Sequence, residues 1–248
     1  MIMSVPVAVV VPIYQSNLAE SEWLSLRQCL KILGNHPIII IKPESLTISN
    51  ILAKFPQLIV QDFTDSYFAD IAGYNHLLTS THFYDAFSEY DFILIYQLDA
   101  LVFKDELKIW CQKGYDYIGA PAIPATTSFF DTKLPILNGG LSLRNVRKCR
   151  RLVSVYQRFF GQWLGNEDML FSMAAGRLIP FRWLLKLPQW QQALDFAFEQ
   201  NVEKAFDLNQ RRLPFGVHAW EKYNIEFWQK HIDFLYPPIS PSKVKEDS

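Results

Sequence analysis

The chain is poor in cysteine and carries almost no net charge. Its three cysteines, Cys29, Cys111 and Cys149, form an odd set without metal-type spacing, so no disulfide framework is indicated. Such thiols are typical of a reducing compartment. The formal net charge of −1 provides no overall attraction for nucleic acid. These two absences argue against a disulfide-stabilised scaffold and against a nucleic-acid-binding protein.

The N-terminal apolar segment VPVAVVVPIY is short and lacks the features of a targeting sequence. It cannot span a bilayer, and neither the cationic flank nor the cleavage site of a signal peptide accompanies it. We therefore interpret the segment as a first strand, and we expect a cytoplasmic protein.

The remaining composition is that of a folded globular protein. Half of the 248 residues are apolar, 20% are charged and 15% are aromatic, which excludes a disordered chain. Short apolar runs of strand type alternate with longer segments of helical periodicity, which predicts an α/β fold with a mostly parallel central sheet flanked by helices. Because neither an internal repeat nor a linker is found, we expect one domain over residues 1–240 and a mobile charged tail over residues 241–248.

The segment DFILIYQLDALVF combines a strand-like apolar run with two polar residues, Gln97 and Asp99. Because they are two residues apart, their side chains leave the same face of an extended chain. Ligands bind at the carboxyl ends of the strands in open α/β sheets, so the pair predicts the floor of a site. There the amide would bond a hydroxyl group and the carboxylate would hold Mg²⁺ or Mn²⁺. The competing interpretation is that Asp99 caps a turn and Gln97 bonds nearby backbone.

Three later motifs each permit a functional and a structural interpretation. In LNGGLSLR, the two glycines suit either a close approach of the backbone to a ligand or, structurally, a hairpin turn or bulge. In GNEDMLFS, the adjacent acids Glu167 and Asp168 precede an apolar helical segment, where acids also stabilise a helix start. In LPFGVHAW, His218 is either a ligand or a structural residue.

The order of these motifs, rather than any one of them, resembles that of glycosyltransferases of the GT-A fold. A polar strand end of the form QxD is followed by NGG, by an acidic pair at a helix start and by a C-terminal histidine. More closely, the chain is similar to a bacterial family catalogued as a domain of unknown function among the nucleotide-diphospho-sugar transferases. The similarity runs roughly from Val10 to Tyr223, and its most specific strings are IYQLDALVF and NGGLSLR.

The resemblance implies a donor side of the site. GT-A enzymes carry Asp-x-Asp at the strand end, and here the matching triplet is Gln97-Leu98-Asp99, in which an amide replaces the first acid. Asp99 and His218 are the implied ligands of Mn²⁺ or Mg²⁺, with a lower affinity because one negative charge is missing. The residues that the resemblance places against the nucleotide-sugar donor are Pro12, Tyr14, Gln97, Asp99, Asn138, Gly139 and Gly140.

The resemblance also implies an acceptor side. Asp168, preceded by Glu167, matches the carboxylate that inverting GT-A enzymes use as general base on the acceptor hydroxyl. We therefore expect a metal-assisted, inverting glycosyltransferase of polysaccharide biosynthesis, which transfers a sugar from a nucleotide-diphospho-sugar to a saccharide or lipid-linked acceptor. Two alternatives are a non-catalytic sugar- or nucleotide-binding partner in polysaccharide assembly and a sugar nucleotidyltransferase. Against the nucleotidyltransferase, VPIYQSNLAE contains no glycine-rich phosphate loop.

A basic run, RNVRKCRR, lies outside these motifs. Arg144, Arg147, Lys148 and Arg151 have the i, i+3, i+4, i+7 spacing of one helix face. That face could make a peripheral contact with anionic lipid at the inner face of the membrane, or could bind a lipid-diphosphate acceptor. The alternative is a solvated face balanced by nearby acids.

Overall fold

The structure, a computed structural model, describes residues 5–123, 136–174 and 183–232. The predicted tail at 241–248 and the end of the predicted domain therefore lie outside the described residues. The strands are β1 (Val7–Pro12), β2 (Ile38–Pro43), β3 (Ile59–Phe63), β4 (Phe92–Tyr96), β5 (Leu101–Val102), β6 (Tyr117–Pro121), β7 (Leu137–Asn145), β8 (Ala197–Phe198) and β9 (Gly216–Val217). The helices are α1 (Glu20–Leu33), α2 (Ser49–Lys54), α3 (Ile71–Leu78), α4 (Thr81–Asp85), α5 (Leu107–Gln112), α6 (Val146–Phe160), α7 (Glu167–Met169), α8 (Trp190–Phe196), α9 (Val202–Leu208) and α10 (Ile225–His231).

Six strands form the central sheet, in the order β3-β2-β1-β4-β7-β6. Strands β1 to β4 pair in parallel, whereas β7 is antiparallel to both of its neighbours. The predicted α/β fold with a mostly parallel sheet is therefore confirmed. β-Branched residues fill β1 and β2, which are buried along their whole length, as expected for strands covered on both faces.

The alternation of side chains along β1 builds one apolar cluster on each face of the sheet. Val7, Val9 and Val11 pack with α1, and Ala8 and Val10 point to the opposite cluster. That second cluster contains buried residues of α4 and α6. Helices α1 and α6 therefore cover opposite faces of the sheet.

The strand order reverses beside β1, because the chain runs from β1 to β2 and β3 on one side and returns to β4 on the other. Ligands in open α/β sheets bind at such a reversal, outside the carboxyl ends of the strands. Here the carboxyl ends of β1 and β4 are adjacent. This adjacency brings Pro12 and Tyr14 next to Gln97 and Asp99.

A small second sheet, β5-β9-β8, supplies the last part of the site. Strand β9 pairs with β5 just after the QxD triplet, and with β8 on its other side. The backbone N–H of His218 donates to the carbonyl of Phe198 at 2.9 Å. A residue from the C-terminal third of the chain is thereby held against the end of β4.

The glycines of LNGGLSLR lie inside strand β7, and neither has a positive φ, so they do not form a hairpin turn. The bulge that the motif also suited is present, because the pairing of β6 with β7 shifts register between Gly119 and Pro121, opposite these glycines. The predicted place of Arg144 was wrong. Arg144 also belongs to β7, pairs with Ile93 and is fully buried, so it cannot lie on a basic helix face. The helix begins one residue after Asn145, because the side chain of Asn145 accepts from the Lys148 N–H and caps it.

Within the described residues, no helix is long and apolar enough to cross a membrane.

Candidate active site

A cavity of about 830 Å³ opens where β1 and β4 end. Every residue that the sequence placed in a donor, metal or catalytic role lines it: Pro12, Tyr14, Gln97, Asp99, Asn138, Gly139, Gly140, Glu167, Asp168 and His218. The residues lie in, or one to three positions after, β1, β4, β7, α7 and β9. The tertiary structure therefore brings together residues that are up to about two hundred positions apart in the chain. The volume of the cavity is typical of ligand sites.

Gln97 and Asp99 reach the cavity from a turn rather than from an extended strand. Strand β4 ends at Tyr96, and the Ala100 N–H donates to the Gln97 carbonyl at 2.9 Å. The Nε2 atom of His218 lies 3.2 Å from Gln97 Oε1 and 3.2 Å from Asp99 Oδ1. Only the contact with Gln97 has hydrogen-bond geometry, which leaves Asp99 Oδ1 buried without a hydrogen-bond partner.

Glu199 holds His218 from behind. Its Oε1 atom lies 3.2 Å from His218 Nδ1 and accepts from the Asn138 side-chain amide at 3.0 Å. Burial alone would lower the pKa of His218, but the contacts with Asp99 and Glu199 outweigh burial and raise this pKa to about 9. Burial would likewise raise the pKa of Asp99, yet the contact with His218 lowers it below its usual value. Asp99 and His218 therefore favour each other's charged forms.

The glycines of β7 are required by close packing of site residues rather than by a turn. A Cβ atom on Gly139 would overlap the carboxylate of Glu167, and one on Gly140 would overlap the imidazole ring of His218. The groups that approach these glycines closely belong to the protein itself. Asn138 also fixes this segment, because its Oδ1 atom accepts from the Gly140 N–H at 2.7 Å.

Glu167 is paired below the cavity. Its Oε1 atom accepts from Arg144 at 2.9 Å, and the exposures of the two residues are 5% and 0%. Arg144 also donates to the Ser142 hydroxyl and to the Gly139 carbonyl. The Glu167 N–H donates to Asn75 Oδ1 at 3.1 Å. These contacts fix the first turn of α7 against β7 and α3.

Asp168 faces the cavity without such an anchor. Its Oδ1 atom is buried and has no hydrogen-bond partner. Burial, together with the neighbouring charge of Glu167, raises the pKa of Asp168 to about 6. A carboxylate with a pKa near neutrality, in a cleft, has the properties of a general base.

The electrostatics of the cavity suit a bound cation. The acidic residues that line it are Glu22, Asp70, Asp99, Glu167, Asp168 and Glu221, and no Lys or Arg is found among the described lining residues. In the described part of the chain, no group of three or more His, Cys, Asp or Glu side chains forms a metal cluster. The unpartnered Asp99 Oδ1 could nevertheless hold a divalent ion together with His218 Nε2 and Gln97 Oε1, provided that the ion displaces the proton from this imidazole nitrogen. Glu199 would orient the histidine in such a site.

Part of the cavity lining near β1 is apolar, beside the polar residues Gln15, Glu22 and Asp70. Pro12, Leu18, Phe68 and Ile71 line the cavity with Tyr14, whose side chain is 62% exposed. This side of the cavity can pack against a flat apolar ring, whereas the Asp99 and Asp168 side offers polar groups.

The sequence missed two members of the site. Glu199 lies in the stretch FAFEQ, which carries no recognisable motif, and it reaches the site only because β8 pairs with β9. Arg144 was assigned to the wrong element, although its alternation with Ser142 in LSLRN is a strand signal.

The architecture is that of the GT-A glycosyltransferases. The galactosyltransferase LgtC, solved with donor and acceptor sugar analogs, superposes with a TM-score of 0.52 at 12% identity, over 85% of this chain and 86% of that one. Mouse xyloside xylosyltransferase 1 superposes with a TM-score of 0.52 at 11% identity, over 85% and 96%. The bifunctional glycosyltransferase WbbM gives 0.53 at 11% identity, over 88% and 46%. At these identities the likeness establishes the fold alone.

The chain belongs to the family described as "Protein of unknown function (DUF5672)", whose profile matches residues 57–218. The predicted membership of a family of unknown function is therefore confirmed. No curated protein matches the chain significantly.

Proposed function

We propose that this protein is a glycosyltransferase that moves a sugar from a nucleotide-diphospho-sugar donor to a hydroxyl group of a saccharide or lipid-linked acceptor. One observation carries the proposal: a single cavity of a GT-A fold holds a polar cluster of Gln97, Asp99 and His218, and a separate, unpaired carboxylate, Asp168. The reaction needs both parts, since the leaving diphosphate must be stabilised and the acceptor must lose a proton.

On the donor side, Asp99 and His218 would hold Mn²⁺ or Mg²⁺, which when bound neutralises negative charge on the diphosphate. Gln97, whose Oε1 atom lies 3.2 Å from His218 Nε2, would bond a donor hydroxyl with its amide nitrogen. Pro12 and Tyr14, on the apolar part of the cavity lining near β1, would pack against the nucleoside base. Asn138, Gly139 and Gly140 would face the donor sugar.

On the acceptor side, Asp168 would remove the proton from the attacking hydroxyl. Its raised pKa leaves it mainly charged at neutral pH while it keeps enough basicity to accept that proton. Glu167 is occupied by Arg144 and therefore acts as the support of α7, so we assign the base to Asp168 rather than to its neighbour. A direct attack assisted by such a base inverts the anomeric configuration.

The discriminating experiment measures which bond of a nucleotide substrate the protein breaks. The protein is incubated with single nucleotide-sugars and Mn²⁺, and the release of nucleoside diphosphate is followed with and without short saccharide acceptors. We expect slow release without acceptor and faster release with the correct acceptor. Pyrophosphate release from a nucleoside triphosphate and a sugar phosphate would instead identify a nucleotidyltransferase. Tight binding without either release would identify a binding partner.

A cytoplasmic location accompanies this proposal. The three cysteines are free and buried, in keeping with the thiols of a reducing compartment. Fractionation of cells that express the protein with a tag tests the location.

A further inference from the structure

Helix α6 presents a regular row of arginines to solvent. Arg147, Arg151 and Arg158 are exposed, and their spacing places them with Ser154 on one stripe of the helix. The opposite stripe, which includes Cys149 and Val153, packs into the core. The helix is therefore strongly amphipathic, with a cationic outer face.

These arginines differ from their neighbour Arg150, which is paired with Asp85 of α4. Within the described residues, no carboxylate lies at ion-pair distance from Arg147, Arg151 or Arg158. Among the described residues, no carboxylate balances these three charges, whereas the alternative interpretation of this basic run required nearby acids. An unbalanced row of charge on one face is suited to a polyanionic partner.

Large apolar side chains are exposed where α6 ends. Phe159 is 69% exposed and Leu164, in the following loop, is 88% exposed. Phe160 stacks on Tyr156 and is itself 63% exposed. We call Arg147, Arg151, Arg158, Phe159 and Leu164 the α6 surface. The α6 surface combines guanidinium groups with exposed apolar side chains. A site that bound its partner by charge alone would not require the apolar side chains.

We propose that the α6 surface docks the protein on an anionic lipid bilayer. The guanidinium groups would bind lipid phosphates at the headgroup level, and Phe159 and Leu164 would enter the boundary between headgroups and acyl chains. An acidic protein could satisfy the arginines, but the exposed Phe159 and Leu164 favour a surface that offers both charge and an apolar layer. The surface retains Arg147 and Arg151 of the predicted membrane contact, excludes the buried Arg144 and adds the end of the helix.

Docking in this way would place the candidate site close to the bilayer. The loop that carries Leu164 continues to Asn166, which lines the cavity, and then to Asp168. If the proposed transferase function holds, this arrangement favours an acceptor whose saccharide is carried on a lipid. Lipid docking itself depends on the α6 surface alone and does not require the transfer reaction.

The test is sedimentation with vesicles, in the absence of donor and acceptor. The purified protein is mixed with vesicles of phosphatidylcholine alone, or with phosphatidylcholine containing roughly one third phosphatidylglycerol, an anionic lipid. We expect binding to the anionic vesicles only, and release as salt is added. Binding to neither vesicle, or equal binding to both, would overturn the proposal.

Two double variants separate the charged part of the surface from the apolar part. Arg151→Glu with Arg158→Glu should reduce binding at least about tenfold, since each basic residue contributes about 1 kcal/mol near an anionic surface. Phe159→Ser with Leu164→Ser should also weaken binding, but the salt dependence of binding should be unchanged because the arginines are retained. Unchanged binding of the serine variant would indicate a polyanion site, such as an acidic protein would occupy, and would overturn the bilayer proposal.

The matched control makes the same charge change on the other face of the sheet. Arg27 and Lys31 are exposed on α1, which packs against the opposite apolar cluster. Arg27→Glu with Lys31→Glu should bind vesicles as the unaltered protein does, and an equal loss would show that net charge rather than the α6 surface drives binding. Melting temperatures confirm that each variant is folded. Vesicle binding without any transfer would refute the proposed function alone, and transfer without vesicle binding would refute the docking alone.

Discussion

The two adjacent acids of α7 have different surroundings, and these surroundings separate their roles. Each acid has one buried oxygen without a hydrogen-bond partner, but Glu167 Oε1 is paired with Arg144, whereas Asp168 has no such cationic partner. Sequence order could not distinguish two neighbouring carboxylates, because both are ordinary residues for a helix start. The distinction comes from Arg144, which reaches Glu167 across 23 positions of the chain.

Replacing Asp168 by Asn tests its role as a base. Once a donor and an acceptor are known, Asp168→Asn should lower single-turnover transfer by roughly two to four orders of magnitude while donor binding is kept. The variant should melt no lower than the unaltered protein at neutral pH, since the raised pKa shows that the fold disfavours the charged form of this carboxyl. Full activity of Asp168→Asn would rule out the base assignment.

Glu167→Gln is the companion control. It should lower stability by about 3–5 kcal/mol, because it leaves Arg144 charged and buried without a charged partner. Transfer by the folded fraction should fall less than in Asp168→Asn. The opposite pattern, in which Glu167→Gln melts normally and loses transfer, would move the base by one residue.

The pKa of Asp168 also predicts a pH dependence. Protonation removes the base, so the transfer rate should be constant above about pH 7 and should fall tenfold per unit below the pKa of about 6. The stability linkage has the opposite sign: a raised carboxyl pKa stabilises the fold at low pH, and this contribution is lost as pH rises through about 6. A rate profile from about pH 5 to pH 8 measures the acidic limb. If the residual activity of Asp168→Asn still falls below about pH 6 as in the unaltered protein, the fall must be due to the protonation of another group.

Gln97 carries no charge, so we expect weak metal binding. Replacing this amide with a carboxylate should strengthen it. Gln97→Asp adds a carboxylate beside Asp99 and His218, and it should tighten Mn²⁺ binding, measured by calorimetry without any donor. Gln97→Glu serves as a control that adds the same charge on a longer side chain. Weaker binding by Gln97→Asp would show that residue 97 does not face the ion.

At the scale of elements, β7 is the part of the molecule that organises the site. It carries Asn138 and the two glycines at one end and Arg144 at the other, so one strand contacts Glu199, Glu167 and His218. The two glycines suited a turn, a bulge or a close approach, because all three are common uses of glycine. The observed segment is a strand in which β4 pairs with residues 141–145, and the pairing with β6 shifts register opposite the glycines.

Gly140→Ala tests this use of the glycines. The added Cβ would overlap the His218 ring, so we expect loss of metal and donor binding together with a lower melting temperature. Gly161→Ala is a useful contrast, since it has open space but a φ of 76°, and it should affect stability without affecting binding. Normal Mn²⁺ binding by Gly140→Ala would show that His218 is not held in the position described.

Considered as a whole, the molecule closes one cavity with elements from both sheets. A ligand that bridges β1, β4, β7, α7 and β9 should stabilise all of them together. We expect that the correct nucleotide-sugar with Mn²⁺ raises the melting temperature by several degrees in a thermal-shift panel, with a smaller shift for Asp99→Asn. A normal shift for Asp99→Asn, combined with a much lower starting temperature, would make Asp99 a structural residue.

The sequence alone determined the fold class and the identity of most site residues. Its alternation of apolar runs and helical segments predicts a parallel α/β sheet, and QxD, NGG, ED and the late histidine mark segments that do meet in one cavity. Such local signals suffice where periodicity and strand ends carry the information. Register, and partners distant in the chain, were decided only by the tertiary structure. Arg144 belongs to a strand because Ile93 pairs with it, and Glu199 reaches His218 because β8 pairs with β9, and both depend on contacts that no local pattern records.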